Sequence, residues 1–147
     1  MLSLHKVLAA ALLAACVTLE HGGAAQDSVT VEVDMFSGRP NPAWRMSPRQ
    51  SQAAIKMLNR LPRTTAGSLN EGLGYRGTVI RVRSSAWRIF RGRAYESKSG
   101  RWKTDDHRKL ERFAIATGKS NLDPALYRTV LEESGFGQGN AEAQHEP

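Results

Sequence analysis

Ser28-Val29-Thr30-Val31-Glu32-Val33-Asp34-Met35-Phe36, followed at once by Ser37-Gly38-Arg39-Pro40-Asn41-Pro42, is the stretch that decides how this chain folds. Val29, Val31, Val33 and Met35 alternate with Thr30, Glu32 and Asp34, and a period of two puts the apolar set on one side of a half-buried strand. Two prolines and a glycine then restrict or release φ at nearly every position, so the strand runs into a rigid loop. Behind the loop, Ser47, Pro48 and Gln50 supply an N-cap, a first-turn proline and a capping-box partner, which predicts a helix from about residue 48. Ala54, Leu58 and Leu61 form its apolar stripe, and Pro62 ends it. Residues 63 to 74 have the Thr, Ser, Asn and Gly content of a surface connection.

Downstream, Ile80 and Val82 alternate with Arg81 and Arg83, and Trp87, Ile89 and Phe90 begin another strand before Gly92. The middle is therefore expected to be β, with its cations mostly on a wet face. Thr104 reads as the cap of a second helix with Asp105 and Asp106 in its first turn, where carboxylates suit the macrodipole. Its stripe is Leu110, Phe113, Ala114 and Thr117, and Gly118 reads as its stop. Asp123-Pro124 starts a third helix with Leu126, Tyr127, Val130 and Leu131 inward and Gly135 behind it. The expected fold class is α+β: a small single domain over 27–135, with an antiparallel sheet of about 3–4 strands packed with about 3 helices. The polar, Gly-rich stretch 136–147 is expected to be a disordered tail.

Composition agrees with one globular unit. The chain has 147 residues, 40% of them hydrophobic, with three Trp, 13 Gly and 6 Pro, which excludes a collagenous or wholly disordered chain. Its beginning reads as a targeting segment. Met1 to Lys6 carries one cation, Val7 to Val17 is an apolar run too short to span a bilayer, and Gly23-Ala24-Ala25 offers a small-x-small cleavage site. Residues 1–25 are thus expected to be a signal peptide. Leu13-Ala14-Ala15-Cys16 resembles the lipobox of bacterial lipoproteins, so the alternative is cleavage before a lipidated Cys16. Cys16 is the single Cys, so the exported domain folds without disulfides under either reading.

Charge is concentrated. Residues 27 to 75 hold 6 basic and 4 acidic side chains, 76 to 112 hold 12 and 4, and 113 to 147 hold 2 and 5. Of 21 cations, 15 are Arg, which can grip phosphate or carboxylate bidentately, so a polyanionic partner is expected. Arg81, Arg83, Arg91 and Arg93 are expected to share one solvent-facing surface, because residues two apart on a strand point the same way.

Three segments carry a resemblance. Phe36-Ser37-Gly38-Arg39-Pro40-Asn41-Pro42 with Trp44 two residues on, Gly74-Tyr75-Arg76-Gly77, and Asp105, Arg108, Leu110 and Glu111 at D..R.LE spacing occur together. In these the chain resembles a family of small, mostly uncharacterised bacterial secreted proteins or lipoproteins. The resemblance covers 29 to about 131 and implies a fold unit and no reaction. Met46 stands where an aliphatic residue is usual, a change harmless to packing.

Enzyme signatures are weak. Gly72-Leu73-Gly74-Tyr75-Arg76-Gly77 spells GxGxxG, but a loop precedes it and a strand follows, the reverse of the dinucleotide fingerprint, so its glycines read as turn residues. Arg88-Ile89 and Thr104-Asp105-Asp106-His107 are similar to segments of barnase-type microbial ribonucleases; that resemblance implies Arg88 on phosphate and His107 as general acid. The general base of that family should lie between Gly74 and Val82, where no acidic residue stands. His107 is the sole His between the leader and the tail, so no His-based zinc site is expected, nor any cofactor.

The expectation is an exported periplasmic or outer-envelope protein, lipid-anchored to the membrane where Cys16 is modified. It acts as a non-enzymatic binding module with a basic face for an anionic ligand: envelope polysaccharide, lipid or nucleic acid. The alternative is the secreted ribonuclease. Arg39 and Trp44 in the loop, with Arg81, Arg83, Arg91 and Arg93, are the expected contact residues. The competing reading of the loop is that Trp44 plugs the core and Arg39 caps local carbonyls.

Overall fold

The computed structural model describes residues 27–65, 67–69 and 71–137. The leader, Cys16 and the tail beyond Gly137 lie outside the described residues. The elements are β1 (Val29–Asp34), β2 (Ala43–Arg45), α1 (Pro48–Arg60), β3 (Arg63–Thr64), β4 (Gly77–Val82), β5 (Ser85–Phe90), β6 (Arg93–Glu96), β7 (Arg101–Thr104), α2 (Lys109–Ala116) and α3 (Pro124–Ser134). The strands form one antiparallel sheet in the order β2-β1-β4-β5-β6-β7-β3.

Seven strands replace the expected three or four. β2 and β3 have three and two residues, too few for any alternation to register. β6 and β7 were hidden differently. Their inward positions include Glu96, Arg101 and Lys103, so an apolar pattern is missing from strands that are nonetheless half-covered.

The register explains the core. Val31 stands between Trp44 and Ile80, and Ile80 opposes Trp87; Val33 opposes Thr78, and Thr78 opposes Ile89, which meets Ala94. Ala54 and Leu58 of α1, Leu110, Ala114 and Ile115 of α2, and Val130 of α3 complete a single apolar cluster with these rows. Val29, Val31 and Val33 are wholly buried, each worth roughly 1.5–3 kcal/mol relative to exposure.

Helix signals are realised with two corrections. The Ser47 hydroxyl accepts from the Gln50 N–H at 3.3 Å while the Gln50 side chain accepts from the Ser47 N–H at 2.9 Å, closing the capping box. Asp123 caps α3 and Gly135, at φ 76°, ends it. Thr104, however, belongs to β7. The buried carboxylate of Asp105 caps α2 instead, accepting from the N–H groups of Leu110 at 2.9 Å and Glu111 at 3.0 Å. His107 and Arg108, both at positive φ, turn the chain between them. Gly118 is likewise no stop, because the chain continues as a 3-10 turn over Thr117–Ser120. A Cβ there would meet the Trp44 ring at 2.9 Å, so a close approach demands this glycine. Finally, Phe136 packs against the core and lies under the guanidinium of Arg108, 4.0 Å from its ring centre, so the folded unit reaches past Gly135.

Candidate functional site

The loop after β1, the Gly74–Gly77 segment and the stretch from Asp105 to Glu111 meet in space. Asn41 of the loop donates to Glu32 at 3.2 Å and Asp34 at 3.3 Å and accepts from the N–H groups of Met35 and Phe36, which folds the loop back onto β1. Arg76 donates through Nε and Nη2 to Asp34, at 3.1 and 2.5 Å, and to the Phe36 carbonyl at 2.8 Å. Its neighbour Tyr75 reaches the other way and donates to the buried carboxylate of Glu111, which also accepts from Arg108 Nε at 2.7 Å. These residues are a structural lock, and of the two cavities on opposite faces of the sheet only the outer one is lined by them, through Glu32, Asp34 and Arg76.

The first cavity lies on the helix-covered side, between the C-terminal half of α1 and the ends of β4, β5 and β7. It holds about 790 Å³ and is lined by Asp27, Leu58, Arg63, Arg83, Trp87, Arg101 and Lys103, among others. Four cations therefore face one carboxylate. Arg83 pairs with Asp27 at 2.6 Å, and Arg101 with Glu96 at 2.7 Å. Arg63 and Lys103 have no carboxylate partner among the described residues, although they stand directly opposite each other across β3 and β7. Like charges in that position are destabilising. Burial first, and then the charges of Arg101 and Arg63, lower the Lys103 ammonium below its ordinary value against the pull of Glu96. Its Nζ donates to the Leu58 carbonyl at 2.7 Å and lies over the Trp87 ring.

Glu96 anchors one wall and gives a pH prediction. Its buried carboxylate accepts from Ser85 at 2.6 Å, from Ser99, and from Arg101 at 2.7 and 3.0 Å. The two hydroxyls, with Arg101 after them, hold the carboxyl at about 2 against an ordinary 4.5. A folded-state value below the unfolded one contributes stability above pH 4.5 and loses it as pH falls toward 2. Asp34 adds to the same slope: burial would raise it, but the hydrogen bonds and charges of Arg76 and Arg88 hold it lower. Melting temperature should fall through that acid window, and Glu96→Gln should flatten the fall while lowering stability at neutral pH. An unchanged acid slope in Glu96→Gln would remove this carboxylate from the account.

The second cavity, on the outer face, holds about 490 Å³. Glu32, Asp34, Val79, Arg81, Ala86, Arg88 and Tyr95 rise from its strands, and Leu69, Glu71 and Arg76 border it from the connection between β3 and β4. Arg81 pairs with Glu32 at 2.8 Å and Arg88 with Asp34 at 2.5 Å.

The expected contact residues are scattered by this geometry. Arg81 lies on the outer face, but Arg83 sits in the β4–β5 turn at φ 51° and lines the helix-side cavity. Arg91 sits at φ 43° in the β5–β6 turn, at the opposite end of the hairpins, and Arg93 donates to Thr104 beside it. The four do not share one surface, because Arg83 and Arg91 lie in turns past the ends of β4 and β5, where the strand alternation no longer sets their direction. Trp44 is buried and donates from Nε1 to Thr117 at 2.8 Å, so it plugs the core. Arg39 is exposed and stacks on Phe36, its guanidinium carbon 3.4 Å from the ring centre, rather than capping carbonyls. Arg88 and His107 are also apart: His107 is exposed at φ 57° and borders a separate shallow depression with Lys109, Arg112 and Phe113.

Arg63, Arg101 and Lys103 went unread in the sequence. Arg101-Trp102-Lys103 has the period of a strand with cations on one face, and that was the available signal. Among the described residues no helix is long and apolar enough to cross a membrane. No protein-family model matches the chain, and neither a curated protein nor a solved structure does.

Proposed function

We propose that this protein is an exported, non-enzymatic envelope module that binds an anionic polymer in the helix-side cavity. Export rests on the leader at 1–25 and anchoring on Cys16, both read from sequence. The observation that carries the binding reading is the set of cations around Lys103: Arg63 and Lys103 face each other with no carboxylate partner among the described residues, and Arg83 and Arg101 flank them. A polymer bearing phosphate, sulfate or carboxylate groups would supply the missing charge and relieve the repulsion. The reading thereby moves the basic face from the outer strands to the helix side.

Heparin serves as a sulfated-polysaccharide probe. Four contacting cations should make its affinity fall by about 10²-fold between about 50 and 200 mM salt, through counterion release. Arg63→Gln combined with Arg83→Gln removes two exposed cations and should lower the slope of log K against log salt by about 2. Exposed Arg contributes little to stability, so the variant should melt near the parent. Binding that is unchanged in the double variant at both salt concentrations would defeat the proposal.

A further inference from the structure

The outer-face cavity has a different chemistry. Two guanidinium groups share the one carboxylate of Asp34, which is 8% exposed, so these three groups carry one positive charge in a half-buried place, offset within the cavity lining only by Glu71 at the exposed rim. Arg76 is committed: it holds Asp34 and the Phe36 carbonyl. Arg88 is not. Among the described residues it makes one hydrogen bond, Nη1 to Asp34 Oδ2, and a guanidinium has five N–H donors. Its side chain is 33% exposed and borders the cavity.

Beside Arg88 the floor is apolar. Val79 and Ala86 come from β4 and β5, and Tyr95 of β6 is braced by the Trp102 ring at 4.7 Å between centres. Leu69 faces them from the connection that crosses this side of the sheet, where Gly67 lies against Trp102. The remaining charges limit what can enter. Glu32 is already paired with Arg81, and Glu71 stands exposed at the rim with no ion-pair partner among the described residues. A second negative charge on a ligand would meet Glu71 and Glu32. A single carboxylate with an apolar body would meet Arg88 at one end and the Val79, Ala86 and Tyr95 surface along the other. The volume falls within the range of small-molecule pockets.

We propose that this cavity is a second binding site, taking a small monocarboxylic acid whose carboxylate rests on the open N–H groups of Arg88 and whose apolar body covers Val79 and Ala86. It is independent of the polymer site, since the two cavities lie on opposite faces and share no lining residue.

Benzoate and benzamide are the probes, titrated calorimetrically into the full chain. Benzoate should bind saturably, and benzamide about tenfold or more weaker, because a charged hydrogen-bonded contact is lost. Citrate, with its added charges, should bind more weakly than benzoate. Arg88→Gln should cost benzoate about ten- to hundredfold in affinity. Glu71→Gln, an exposed change that leaves the fold alone, should tighten it a few-fold by removing a like charge. The polymer-site double variant Arg63→Gln with Arg83→Gln should bind benzoate as the parent does. Equal affinity for benzoate and benzamide, absence of saturable benzoate binding, or unchanged or weaker benzoate binding in Glu71→Gln would each overturn the assignment. The last readout holds even if Arg88→Gln fails to fold.

Discussion

Glu111→Ala is expected to lower the unfolding free energy by about 3–5 kcal/mol, the cost of removing one partner from a buried ion pair. Glu111 is wholly buried and its two carboxylate oxygens are both used, one by Arg108 Nε at 2.7 Å and the other by the Tyr75 hydroxyl. Burial, and then the charge of Glu111, push the Tyr75 phenol far above its ordinary value, which favours the protonated hydroxyl that donates to this carboxylate. Without the carboxylate, Arg108 would be left 26% exposed with the Ser134 carbonyl and the Phe136 ring for company. Tyr75 would lose its carboxylate acceptor and keep the Thr78 hydroxyl, at 3.0 Å. Glu111→Gln retains an acceptor for Tyr75 and should cost less than Glu111→Ala. Urea unfolding followed by circular dichroism measures both, and an alanine variant within about 1 kcal/mol of the parent would mean that water replaces the carboxylate without penalty.

Gly77→Val should be equally damaging by another route. Gly77 begins β4 at φ 124°, a backbone region that side chains avoid, and a Cβ on it would stand 2.7 Å from the carbonyl oxygen of Ile89. The obstacle is backbone in the partner strand, so it can be relieved only by moving the β4–β5 pairing itself. The dihedral strain alone is worth about 1–3 kcal/mol, and the displaced pairing adds to it. The variant should therefore lose its cooperative thermal transition or melt far below the parent. A melting curve that superimposes on the parent's would show that the strand end shifts freely.

These residues also mark how much of the molecule could be read in advance. The Val29–Val33 alternation, the Ser47–Gln50 capping box and the Asp123–Gly135 helix are local patterns whose physics is complete within a few residues, and each is realised. Asp105 defeated the local rule, because its carboxylate reaches α2 across two left-handed residues that no propensity anticipates. β6 and β7 defeated periodicity for a chemical reason. Their inward faces hold Glu96, Arg101 and Lys103 in place of an apolar set: Arg101 pairs with Glu96, Lys103 reaches the Leu58 carbonyl of α1, and both cations line the cavity. The same substitution of charge for hydrophobe hid both the strands and the candidate site. Trp44 illustrates the opposite error: a rigid loop suggests presentation, whereas here Asn41 folds the loop back onto β1 and Gly118 leaves room for the indole, while Arg39 stays exposed on the Phe36 ring.

The central claim is that the cations around Lys103 are kept for an anionic polymer rather than for the fold. Site-resolved ¹H–¹⁵N shifts of the full chain, followed as heparin is added at low salt, test it most directly. The expected result is that the signals of Arg63, Arg83, Ser84, Ser85, Arg101 and Lys103 move together and saturably, while those of Val79, Ala86, Arg88 and Tyr95 on the outer face stay still. Saturable shifts confined to the outer face, or no shifts anywhere, would contradict the account.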